Sequence, residues 1–82
     1  MDAAVAFGKV LRRLRKELGA SQETLGFEAD LRRTYISVLE LGQQQPSLTT
    51  ILKLAKPLGR TGSELIGLVE AELARGRRRR SL

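Results

Sequence analysis

Cysteine and histidine are both missing from these 82 residues. The first absence excludes disulfides and thiolate metal sites, and the second removes the usual metal ligand and general base. Tryptophan is missing too, and one tyrosine and two phenylalanines are the only aromatics. No segment alternates apolar and polar residues with period two, so no strand is expected. No apolar run approaches the roughly 20 residues that cross a bilayer. The opening MDAAVAFGKVLRRLRK lacks the charged-then-apolar order of a secretory signal, which makes the cytoplasm the expected location. No paired carboxylates stand at a recognisable catalytic spacing, and neither a cofactor nor a small-molecule ligand is evident. An enzyme is therefore not expected.

Positive charge is what the chain does have, and it is unevenly placed. Residues 1–74 hold ten basic and nine acidic groups, a balance of +1, while five arginines in Arg75-Gly76-Arg77-Arg78-Arg79-Arg80 bring the total to +6. A second cluster, Lys9, Arg12, Arg13, Arg15 and Lys16, lies on the first predicted helix. Such clusters suit phosphate backbones. The chain divides into one domain over residues 1–74 and a basic tail over 75–82. The tail is expected to be disordered, being short, like-charged and without apolar anchors.

Five helices are legible, so the expected fold class is all-α. The first runs from about Ala3 to Leu18, with Asp2 as N-cap, Gly19 as stop and an apolar stripe of Phe7, Val10, Leu11, Leu14 and Leu18. The second starts after Ser21 and ends at Asp30, with Leu25 and Ala29 inward; Gly26 suits a close crossing by another element. The third runs from about Arg33 to Leu41 with Ile36 and Leu39 inward, and Gly42 ends it. Ser47 caps the fourth, whose inward residues are expected to be Leu48, Ile51, Leu52, Ala55 and Leu58, with Pro57 shortening its end. Thr61 and Glu64 have capping-box spacing, and the fifth helix is expected to reach about Ala74.

The segment from Ser21 to Ser47 carries the functional signal: a short helix, a tight turn, a second short helix and a polar loop ending at a proline. Arg32 and Arg33 open the second of these helices, at the positive end of its macrodipole, where cations are disfavoured. Two arginines there suggest an acceptor-rich partner outside the chain. Arginine bonds guanine O6 and N7 bidentately, which assigns base reading to Arg33 and a phosphate to Arg32. Thr34 and Val38 offer methyl groups to thymine. Ser21, Gln22, Gln43, Gln44 and Ser47 stand at helix starts or in the loop, where hydroxyls and amides reach phosphates.

From Val10 to Leu65 the chain resembles the phage-repressor-like (XRE-type) helix-turn-helix family. The resemblance rests on Leu18-Gly19-x-Ser21-Gln22-x-x-Leu25, on Arg33-Thr34-Tyr35-Ile36-Ser37-x-x-Glu40-x-Gly42, on Pro46-Ser47-Leu48, and on Leu52-x-Leu54-Ala55-x-x-Leu58-Gly59. It implies a five-helix lambda-repressor-like domain. Arg33, Thr34, Ser37 and Val38 would read base edges, Gln22 would touch a phosphate, and Arg15 and Glu40 would pair between the first and third helices. The chain departs from the pattern at Asp30, where the family usually has glycine, at Arg32, where a capping Ser or Thr is common, and at Gly26, where Ala is usual. Leu41 and Gln43 replace positions that are often basic. The Phe27-Glu28-Ala29 and Arg33-Thr34-Tyr35-Ile36-Ser37 strings are similar to those of restriction–modification controller proteins.

The partner implied is double-stranded DNA. A single domain of this size has a small interface, and family operators are two-fold, read by helices about 34–36 Å apart. The expected form is a homodimer on a palindromic operator, with Ile66, Leu68 and Leu73 of the fifth helix as contact residues and Leu65 and Val69 turned to the core. With no ligand-sensing segment recognisable, protein dose is the expected control, as in an autoregulatory switch. The alternative is an antitoxin-type interaction module that also binds DNA.

Overall fold

A computed structural model describes residues 1–81, with side chains through Arg77. It contains α1 (Ala3–Glu17), α2 (Gln22–Ala29), α3 (Arg33–Glu40), α4 (Leu48–Ala55) and α5 (Gly62–Ser81), and no strand among the described residues. No described helix is long and apolar enough to cross a membrane. The core gathers one stripe from each helix. Phe7, Val10, Leu11 and Leu14 meet Leu25 and Ala29, Ile36 and Leu39, Leu54, Ala55 and Leu58, and Leu65 and Val69.

α1 is the hub. It packs against α3 on one flank and α5 on another, while α2 packs on α3, and α4 touches α5 and α2. Gly8 makes the α3 contact possible. A Cβ there would run into the carbonyl oxygens of Leu39 and Glu40, the latter at 2.8 Å. Leu18, expected on the apolar stripe, is exposed, because α1 has already ended at Glu17 and Gly19 turns the chain away with φ 70°.

α4 corrects the expected inward set. Leu48 and Leu52 are 72% and 56% exposed, and Leu54 is fully buried in their place. The apolar residues of α4 span about 160° of its circumference, wider than the face its neighbours cover, so period alone did not say which edge, Leu48 and Leu52 or Leu54, would be buried; packing against α5 and α2 did. The helix stops at Ala55, and residues 56–59, with Pro57 among them, form a turn closed by Gly59 at φ 72°.

α5 departs further from expectation. Thr61 and Glu64 close the capping box in both directions, at 2.8 and 3.0 Å. Leu65 and Val69 are buried, but Leu68 and Leu73, expected to be spare apolar surface, lie partly buried against the core. Ile66 stays exposed. The helix runs past Ala74, to Ser81. Glu72 braces the turn that ends at Arg75. Its buried carboxylate accepts two bonds from Arg75, at 2.7 and 2.8 Å, and one from Arg13 of α1 at 3.4 Å. Cations near a helix C-terminus are also favoured by the macrodipole. Leu82, the last residue of the expected tail, lies outside the described residues.

Candidate nucleic-acid interface

The α2–α3 corner is built by backbone geometry that few residues tolerate. Asp30 ends α2 in the left-handed region, at φ 59° and ψ 47°, and its N–H donates to Phe27 O at 3.3 Å. Asp visits this region more readily than most L-residues because its short polar side chain can bond locally. Leu31 N–H then reaches back to Gly26 O at 2.8 Å. A Cβ on Gly26 would meet Leu31 O at 2.7 Å and Arg33 N at 3.3 Å. The close approach expected at Gly26 is therefore made by the turn itself.

The start of α3 differs from the other four helix starts. Asp2, Ser21, Ser47 and Thr61 each accept a bond from a backbone N–H three residues on. Arg32, at the equivalent place before α3, makes no side-chain cap bond, since a guanidinium only donates. The Arg32 carbonyl already holds the N–H groups of Tyr35 and Ile36. The first amides of α3 are thus left to solvent or to an incoming acceptor, under a positive macrodipole end. Arg32, Arg33 and Thr34 are exposed around them, and Ser37 and Val38 lie half-buried further along the helix.

Arg33 rests 3.8 Å from Glu23 of α2, a contact between two exposed groups. Such a pair contributes little and exchanges easily. Together Arg15, Ser21, Gln22, Glu23 and Arg33 line one shallow polar depression between the N-termini of α2 and α3. The hydroxyls of Ser21 and Ser47 are already occupied as caps, each also bonded to a threonine hydroxyl, Thr24 at 3.0 Å and Thr50 at 3.1 Å. Gln43 and Gln44 are exposed in the loop after Gly42.

A buried ion pair fixes α3 behind this surface. Both oxygens of the Glu40 carboxylate take bonds from Arg15, one from Nε and one from Nη2 at 2.9 Å. Arg15 Nη1 donates to Ala20 O at 2.9 Å, and Gln22 Nε2 donates to Glu40 at 3.1 Å. One carboxylate thus ties α1, α2 and α3 together. Burial raises the Glu40 titration point, but the bonds from Arg15 and Gln22 and the charges of Arg15 and Arg12 outweigh it, and the group sits below the ordinary carboxylate value. The bond to Glu40 in turn holds the Arg15 guanidinium above its ordinary value against desolvation.

Three contributors escaped the reading of the residues. Gln22 turns into the Glu40 network with its amide nitrogen, where a phosphate contact had been expected. Glu23 holds Arg33. Gly8 seats the end of α3, and its only sequence signal was a glycine inside a well-formed amphipathic helix, a cost of about 1 kcal/mol against alanine.

The helix-turn-helix family model matches residues 11–65. The chain is similar to control protein C.MunI from a Mycoplasma species, with 42% identity over 72 residues that make up 87% of this chain and 97% of that protein. It is similar to control protein C.BamHI from Bacillus amyloliquefaciens, 44% identical over 61 residues, covering 73% and 75% of the two chains. Among solved structures, the restriction-modification controller protein C.AhdI from Aeromonas hydrophila superposes with a TM-score of 0.73 at 48% identity, over 76% of this chain and 94% of that one. The left-handed Asp30 corner, the uncapped α3 and these matches lead to one assignment: the chain belongs to the helix-turn-helix family.

Proposed function

We propose that this chain is a cytoplasmic, sequence-specific DNA-binding transcription regulator that acts as a homodimer on a palindromic operator and tunes the dose of its own gene, as a restriction–modification controller. The observation that carries this reading is the start of α3. It alone among the helices lacks a side-chain cap, and Arg32, Arg33 and Thr34 surround its open amides. Arg33 reads a guanine, Thr34, Ser37 and Val38 contact neighbouring base edges, and Arg32, Ser21, Gln22, Gln43, Gln44 and Ser47 set the register on phosphates. Glu23 holds Arg33 in the free protein and releases it on binding.

The two-fold contact runs through Ile66, with Leu68 and Leu73 contributing what the core leaves exposed. Ile66 shares an open apolar groove with Leu48 and Leu52 of α4, so the exposed side of α4 extends the contact. Sedimentation at micromolar concentration tests it: a dimer is expected, weakened by Ile66→Glu, and a strict monomer refutes it.

Selection of bound duplexes from a random pool tests the whole reading. A two-fold consensus with half-sites one helical turn apart is expected, roughly 34–36 Å between centres. Arg33→Ala should lower affinity for the selected site by about 1–3 kcal/mol and relax the preference at one base pair per half-site. Equal retention of all sequences would refute a specific regulator.

A further inference from the structure

On the reading of this chain as a DNA-binding regulator, we propose that Glu23 of α2 also reads sequence. When Arg33 moves to its guanine, the carboxylate that held it accepts a bond from the N4 amine of a cytosine in an adjoining base pair. Glu23 stands in the first turn of α2, and its carboxylate lies 3.8 Å from the Arg33 guanidinium across the shallow depression between α2 and α3. Both side chains are exposed. A first-turn position favours a carboxylate through the macrodipole. That does not account for an acid on the surface offered to a polyanion, beside the cation that reads a base.

The other side chains of the depression are engaged elsewhere. Arg15 donates from Nε and Nη2 to Glu40 and from Nη1 to the Ala20 carbonyl. The Gln22 amide nitrogen donates to Glu40. The Ser21 hydroxyl donates to Thr24 Oγ1 and accepts from the Thr24 N–H. Each of these groups is held by a partner other than Glu23. Once Arg33 leaves, the carboxylate faces phosphates that repel it, and a donor from the duplex restores its bond. Glu40 is the contrast: its partners belong to the protein interior, whereas the partner of Glu23 is the group that the guanine takes.

Base chemistry then selects the donor. In the major groove guanine presents N7 and O6, and thymine presents O4 and a methyl group; neither donates to a carboxylate. Adenine has its N6 amine, but the N7 acceptor beside it repels the same carboxylate. Cytosine presents the N4 amine with no acceptor next to it. The Arg33–Glu23 pair is thus matched by a guanine and a cytosine, the positive end meeting acceptors and the negative end a donor. The 3.8 Å between the two charged ends is close to the step of about 3.4 Å between successive base pairs, so they address neighbouring pairs. Guanine or thymine in place of the cytosine leaves the carboxylate facing an acceptor, so Glu23 rejects wrong sequences as well as favouring the right one.

Random-pool selection on the parent, Glu23→Ala, Glu23→Gln and Arg33→Ala tests this, with thermal melting to check that each variant is folded. The parent should select a cytosine adjoining the guanine whose preference Arg33→Ala loses. Glu23→Ala should keep the guanine and accept any base at the adjoining position. Glu23→Gln should move the preference there from cytosine to adenine, because an amide bonds adenine N6 and N7 bidentately. On fixed duplexes, thymine in place of that cytosine should weaken the parent roughly 5- to 150-fold and leave the alanine variant nearly unaffected. Identical selected sites in the parent and both Glu23 variants would overturn the proposal and leave the carboxylate to the helix dipole alone. The regulator reading would then stand, because the guanine lost with Arg33→Ala carries it. Loss of the guanine preference in Glu23→Ala would also overturn the proposal, since the carboxylate would then act only through Arg33. A parent that retains all sequences equally would sink both readings.

Discussion

Two joints on α1 use the same device with different results. At one, Glu40 of α3 meets Arg15; at the other, Glu72 of α5 meets Arg13 and Arg75. Both carboxylates are 5% exposed. The cations differ: Arg15 is 11% exposed, Arg13 41% and Arg75 56%. At the α3 joint the pair is bidentate, shielded and backed by Gln22 and the Ala20 carbonyl. At the α5 joint one strong partner comes from the same helix, and the link across to α1 is the long bond of 3.4 Å. The difference teaches what each joint is for. The first fixes the angle of the helix that carries Arg33, and a reading surface tolerates little error. The second orders a helix end and keeps its arginines in water.

The largest expected effect comes from breaking the first joint. Glu40→Ala strands a buried guanidinium, which costs about 3–5 kcal/mol. Denaturant unfolding should show it, along with loss of operator binding. Gly8→Ala attacks the same joint from the other side. Its methyl meets backbone that cannot step aside, so a loss of about 1–3 kcal/mol is expected, again with weakened DNA binding. At the second joint Glu72→Gln should cost only about 1 kcal/mol, since its cations remain solvated. Operator discrimination should be intact in that variant; a cost equal to that of Glu40→Ala would erase the contrast drawn here. Gly76→Ala is the smallest change and the opposite in sign to Gly8→Ala. Only the flexible end of Met1 stands in the way, and helix propensity favours alanine, so thermal melting should show a gain of up to about 1 kcal/mol.

Acid titration sharpens the same comparison. Glu40 and Glu72 both sit below the ordinary carboxylate value, the latter chiefly through its bond from Arg75 acting against burial, with the charges of Arg75, Arg13 and Lys9 adding. A group depressed in the folded state binds fewer protons there than in the unfolded chain. Its contribution is present above the unfolded value of about 4.3 and is lost as pH falls through the lower folded value. Stability should therefore hold from neutral pH down to that range and then decline. The decline should be smaller in Glu40→Gln and in Glu72→Gln, and smallest in the double variant.

Much of the domain was legible residue by residue. Ser21, Ser47 and the Thr61–Glu64 pair announce helix starts because short oxygen-bearing side chains satisfy amides that nothing else in the chain reaches. Asp30 marked the corner, and Arg32 marked the helix start that lacks a cap. The inward residues of α1 up to Leu14, and Leu25, Ala29, Ile36 and Leu39 of α2 and α3, followed from spacing alone; Leu18 did not, because the helix ends before it. Leu48, Leu52 and Leu54 did not, because they stand at the two edges of a wide apolar face, and only the neighbours decide which edge is covered. Gly8 and the link from Gln22 to Glu40 were missed for a related reason: an amide or a missing side chain gains its meaning from what lies across the gap.

By itself, then, the sequence determined the five helices, their caps and the segment that carries Arg33, since all of these depend on residues within a turn or two of one another. The tertiary structure alone decided which leucines of α4 face water and which flank of α1 receives each carboxylate. Those outcomes depend on contacts between residues as distant as Arg13 and Glu72, and spacing along the chain says nothing about distance across it.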